Sequence, residues 1–125
     1  MVGAVPMRVP DDDLDYGPDL VFTYKRVPFS GISYEKGSSG LTELEYRDGL
    51  QHGRSAEWDD AGVLRWEGEY RESLRHGTFR EYDGRGRLVS EALYEYGVLI
   101  ERLIYNEIGQ CEVVERLKQG DAQSR

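Results

Sequence analysis

Arg65-Trp66-Glu67-Gly68-Glu69-Tyr70-Arg71 is the stretch that decides the fold. Trp66, Gly68 and Tyr70 alternate with Arg65, Glu67, Glu69 and Arg71, a period of two that marks a strand with unlike faces. Thr42-Glu43-Leu44-Glu45-Tyr46-Arg47 alternates in the same phase. Asp48-Gly49 follows Tyr46-Arg47, and Tyr96-Gly97 follows Tyr94-Glu95, both with turn chemistry. A second short run comes after each turn and ends at Trp58, Tyr82 or Tyr105. A further glycine turn then closes the unit at Gly62, Gly86 or Gly109. Glycine every ten to twelve residues is incompatible with helix, and helical spacing is absent.

Working outward, the same pattern is an internal repeat. Tyr46, Tyr70 and Tyr94 are 24 residues apart, as are Glu43, Glu67 and Glu91. The Trp58/Tyr82/Tyr105 and Gly62/Gly86/Gly109 columns follow at 24 and 23, and His52-Gly53 recurs as His76-Gly77. Tyr24 and Gly31 precede Tyr46 and Gly53 by 22, so a shorter unit starts near Leu20. Each unit of about 24 residues reads as a β-hairpin with its connection. The fold class expected is all-β: an antiparallel meander of about nine strands, the first near Leu20 to Tyr24 and the last near Cys111 to Leu117. One hairpin cannot bury its own apolar face, so the units must stack.

The chain has 125 residues, enough for one domain with a real core. The expected division is an acidic leader at 1–19, a repeat domain at 20–117 and a flexible tail at 118–125. Fourteen aromatic residues are too many for a disordered chain, while 32% charged residues make the surface polar. A net charge of −8 disfavours a nucleic-acid backbone or an anionic membrane as partner and favours a basic protein. Solubility alone also accounts for it. Cys111 is the single cysteine, so no intrachain disulfide and no cysteine zinc site is expected. One thiol and no long apolar run point to a cytoplasmic protein.

Glu67-Gly68-Glu69-Tyr70, Arg75-His76-Gly77-Thr78-Phe79 and Glu81-Tyr82 together resemble the MORN repeat, whose units read Gly-x-Tyr/Trp, a spacer and His-Gly. Leu64-x-x-Glu67, Leu88-x-x-Glu91, Glu57-Trp58 and Pro28-Phe29-Ser30-Gly31 are similar to the bacterial variant found in YwqK-type antitoxin-like proteins. The resemblance covers residues 20–110. Ser73 stands where the other units have a turn glycine, and Ile100-Glu101 replaces His-Gly. The resemblance implies a non-catalytic antitoxin or immunity protein that neutralises a toxin by binding it. The alternative is a MORN-type scaffold or a self-associating module, so a homo-oligomer is possible.

No enzyme signature is present. Ser55, Ser73 and Ser90 lack a nucleophile elbow, and Gly84-x-Gly86 lacks the helix and lysine of a phosphate loop. Two histidines cannot complete a zinc site, and His52 and His76 read as hairpin-packing residues. The Glu43/Glu67/Glu91 column reads as a solvated ladder with cross-strand ion pairs rather than an acid–base pair. No catalytic, cofactor-binding or metal residue is therefore expected, and no cofactor. The candidates for partner binding are acidic and aromatic. The acidic set is Asp11, Asp12 and Asp13 in the leader, with Asp48, Asp59 and Asp60 in the first full repeat, the most acidic block. The aromatic set is Trp58, Trp66, Tyr70 and Tyr82, which with Tyr46 and Tyr94 are expected to share one face. That face is either an interface or a core formed by curling of the sheet.

Overall fold

The computed structural model describes residues 6–117, and the expected tail at 118–125 lies outside the described residues. The chain is all-β, as the period-two pattern requires. A main sheet of ten strands runs through β1 (Arg8–Pro10), β5 (Gly31–Gly37), β6 (Gly40–Arg47), β7 (Leu50–Asp59), β8 (Leu64–Arg71), β10 (Gly77–Tyr82), β11 (Leu88–Glu95), β12 (Val98–Tyr105) and β13 (Cys111–Arg116). The short β9 (Leu74–Arg75) pairs with β8 off this path. All pairings are antiparallel except β1 to β5, which is parallel. A second, three-stranded sheet holds β2 (Asp15–Tyr16), β3 (Phe22–Tyr24) and β4 (Val27–Pro28). Among the described residues no helix is long and apolar enough to cross a membrane.

The repeat is visible in its turns. Asp48-Gly49, Glu72-Ser73 and Tyr96-Gly97 all have positive φ at both positions, the two-residue turn whose twist matches a hairpin. Ser73 adopts this left-handed backbone (φ 71°) without being glycine, which keeps the second unit in phase despite the substitution. Each turn docks on the hairpin before it: Gly49 N donates to Phe29 O, Ser73 N to Gln51 O and Gly97 N to Arg75 O, at 2.7–2.8 Å. The histidines complete this docking, since His52 Nδ1 accepts from Glu72 N and His76 Nδ1 from Tyr96 N, both 20 residues on. At the other strand ends Asp59, Asp83 and Asn106 each accept the backbone N–H groups two and four residues ahead. The 24-residue period is thus a period of backbone hydrogen bonding as well as of side chains.

Two expectations need correction. Phe22–Tyr24 does not open the main meander. The β3–β4 hairpin has strands of two or three residues, and it folds over the sheet so that Phe22 reaches Tyr46 at 5.2 Å between ring centroids. Nor do the six aromatic residues share a face. Ser55, Gly68, Phe79, Ala92 and Arg102 form one lateral row, with Trp66, Tyr70 and Tyr94 on the same side. Tyr82 bonds Glu67 and Trp58 lies near Arg54, both on the opposite side. Strict alternation from Phe79 puts Tyr82 there, because the phase of one strand does not carry across the turn to the next.

The core is small and lies at one end. Val9, Phe29 and Tyr46 are its buried members, with Leu14, Phe22, Tyr24 and Leu44 packed against them. Burial pushes the Tyr46 phenol above its ordinary range, with the Ser33 hydroxyl opposing. The leader takes part in this core. Asp11–Asp13 form a single 3-10 turn between β1 and Leu14. The three-stranded sheet therefore covers the face carrying Tyr46 in the first repeat. Over β8 and β10–β12 that face has no second layer among the described residues.

Candidate functional site

The uncovered half of this face is a shallow groove of about 310 Å³ centred on Phe79. Phe79 stacks on Trp66 (6.5 Å, 22° between planes) and takes Tyr70 and Tyr94 edge-on at 5.6 and 5.4 Å. Such pairs contribute beyond their buried area. Gly68 lies beneath the ring, and a Cβ there would stand 2.3 Å from Phe79 Cδ2. Ala92 is the small neighbour on the other side. The platform exists because a large side chain sits between two strands that offer almost none.

Polar groups rim the aromatic floor. The Arg75 guanidinium lies over Phe79 and Tyr94, 4.8 and 5.3 Å from their centroids, and donates to Tyr94 Oη at 3.0 Å. Burial opposes its charge, but the phenols of Tyr70 and Tyr94 outweigh this and hold it above the ordinary arginine range. Glu81 accepts from Ser90 Oγ at 3.0 Å, and Arg102 closes the far side. Trp66 Nε1 donates to Glu57, which fixes the indole. An aromatic floor rimmed by Arg75, Arg80 and Arg102, with Glu81 as the one carboxylate, suits a protein side chain seated on it.

The opposite face carries the carboxylate ladder. Glu43, Ala56, Glu67, Arg80 and Glu91 are lateral neighbours, so successive glutamates are two strands and roughly 10 Å apart. Each is paired locally: Glu43 with Arg8 at 2.7 Å, Glu67 with Arg54 at 3.1 Å and Glu91 with Arg80 at 2.8 Å. Tyr82 donates to Glu67 at 2.7 Å, and Tyr105 to Glu91 at 2.9 Å. The Tyr82 phenol foremost holds Glu67 below the usual carboxylate range, and Arg80 foremost does so for Glu91. Both carboxylates thus stabilise the fold above their ordinary value of 4.5, and this is lost as pH falls through their depressed values. In Tyr82→Phe, Glu67 is expected to titrate nearer its ordinary value, read by carbon NMR of the carboxyl group. An unchanged Glu67 titration in that variant contradicts this account of the ladder.

The candidate residues fall in several places. Trp66 and Tyr70 meet in the groove. Trp58 and Tyr82 belong to the opposite face. Asp48 occupies a left-handed turn position, with its N–H donating to Ser30 Oγ. Asp59 is engaged by Ala61 N, Val63 N and Arg65, whereas Asp60 is exposed beside it at the other strand ends. Asp12 and Asp13 are exposed on the leader turn and Asp11 is partly covered. Phe79, Arg75, Glu81 and Arg102 join the groove without having been singled out. Phe79 had a signal: it replaces Ser55 of the preceding unit, 24 residues back, so it breaks the repeat at an inward position.

Among the described residues no group of three or more His, Cys, Asp or Glu side chains is placed to hold a metal ion. No family model matches the chain, and no curated protein matches it. The fold and the groove together define a repeat-sheet protein with a shallow aromatic groove on one face.

Proposed function

We propose that the protein is a non-catalytic antitoxin or immunity-type protein that neutralises a basic protein toxin by direct contact, with the Phe79 groove as the anchor site. The observation that carries this reading is the unequal covering of one sheet face. Its first repeat is closed by β2–β4, while in the second and third Trp66, Tyr70 and Phe79 stay half-buried in a shallow groove with Tyr94 buried in its wall. Aromatic residues and arginine dominate the energetics of protein interfaces, and the groove supplies both. The resemblance to YwqK-type proteins supports the toxin as partner, and the net charge of −8 supports a basic one. The exposed acids Asp12, Asp13 and Asp60 would act on the encounter rate rather than as the anchor.

The test is binding and rescue with the toxin encoded beside the gene. Trp66→Ala and Phe79→Ala are each expected to raise the dissociation constant by about 30-fold or more, and to abolish rescue. Charge reversal at the exposed Asp12, Asp13 and Asp60 is expected to slow association several-fold with little change in dissociation. Failure to bind that toxin, or groove variants that bind as the wild type does, overturns the reading.

A further inference from the structure

The two edges of the main sheet differ. One is β1, three residues long and closed by Pro10, and short strands and proline are ordinary ways of blunting an edge. The other is β13, six residues that are all exposed and include no Lys, Pro or Gly. Leu117 N donates to Ile100 O at 2.8 Å, so the odd-numbered end of β13 turns its backbone groups toward β12. Val114 and Arg116 therefore direct theirs outward, where no strand lies among the described residues.

We infer that β13 pairs with β13 of a second copy, antiparallel about a twofold axis at Val114, so that the two sheets become one. The charge pattern selects this occupant and this register. In it Val114 faces itself, and Glu112 of each copy, which accepts from Asn106 Nδ2, faces Arg116 of the other, which pairs with Glu101 of its own copy, giving two ion pairs that extend this row. An axis at Val113 sets Glu112 against Val114 and Arg116 against Gln110, with no ion pair. An axis at Glu115 sets two carboxylates against each other. An axis between residues opposes an inward-turned residue to an outward-turned one and forms no ladder. Val114 is 52% exposed and adjoins Leu103 on the ladder face, so the seam joins two apolar rows. A bulge opposite Tyr105 loosens the strand at Glu112, which leaves that contact to side chains. The surface is distinct from the Phe79 groove, and the inference does not rest on the toxin reading.

A six-residue seam is smaller than the roughly 800 Å² per partner of a standard interface, so association on the order of 10 µM is expected. Sedimentation equilibrium of the full chain, from roughly 1 to 500 µM, tests it. The mass should rise from 14.3 kDa toward twice that value. Arg116→Glu and Glu112→Arg should each weaken the dimer about tenfold or more, because both twofold-related contacts become repulsive. The double reversal should restore it in part, to tighter than either single reversal, because reversal at 116 also removes the pair with Glu101 of the same copy. Val114→Pro, which removes an outward N–H, should abolish it while the circular dichroism stays that of a β-sheet. A mass of 14.3 kDa at every concentration overturns the inference. So does a dimer indifferent to the single reversals, a double reversal no tighter than the singles, or a dimer lost in Phe79→Ala instead.

Discussion

Phe29→Ala is expected to destabilise the protein by about 3–5 kcal/mol, the largest loss from any single side chain. Phe29 is 2% exposed and touches both Tyr46 and Tyr24, at 5.6 and 6.3 Å between centroids. It joins the three-stranded sheet to the main sheet, since Phe29 N donates to Phe22 O while its carbonyl accepts from Gly49 N. Truncation leaves a cavity where the core has few other members, so neighbouring side chains cannot close over it. Domains of this size have total stabilities of about 5–15 kcal/mol, so the variant should be near the margin of folding. Urea denaturation followed by tyrosine and tryptophan fluorescence measures the loss. Val113→Ala on exposed β13 is the control, expected within about 0.5 kcal/mol of wild type. Equal losses for the two variants would mean that the core is not where the structure puts it.

Gly68→Ala is expected to cost about 1–3 kcal/mol and to disrupt the groove as well. The added Cβ would lie 2.3–2.5 Å from Cδ2, Cε2 and Cγ of Phe79. Those atoms belong to the near part of a ring held by Trp66, Tyr70 and Tyr94, so the ring has to lift as a whole. The backbone of Gly68 is not left-handed, so the cost comes from the contact and not from strain. A double-mutant cycle separates the cause. In a Phe79→Ala background Gly68→Ala should be nearly neutral, leaving an interaction energy of about 1–3 kcal/mol. If Gly68→Ala costs the same in both backgrounds, the close approach of ring and backbone is not what makes residue 68 glycine.

Much of the fold was legible because its causes are local. Alternation around Trp66, Gly68 and Tyr70 specifies a strand with two faces, and the turns at Asp48-Gly49 and Tyr96-Gly97 specify where it reverses. The ladder was legible too, since Glu43, Glu67 and Glu91 share a phase in corresponding strands, and the structure places them in one row with Ala56 and Arg80 between. Trp58 and Tyr82 were misplaced for a related reason. Each lies on the strand after the turn, and its face follows from its own strand and from the register with the neighbour. Phe79 was hidden in an otherwise typical His-Gly-Thr-Phe run. Its importance comes from Gly68 and Ala92 on adjacent strands, eleven and thirteen residues away.

The sequence by itself determined that the chain is a stack of hairpins, where each one turns, and which glutamates line up, because these depend on alternation, turn backbone and a constant repeat length. Only the tertiary structure decided which face is covered and how far. The same column of tyrosines has Tyr46 buried under β2–β4, Tyr94 buried under Phe79 and Arg75, and Tyr70 half-buried beside the groove, because β2–β4 reaches over one repeat and no more. Burial depends on what lies opposite a side chain, and for Tyr46 that partner comes from a segment outside the repeat.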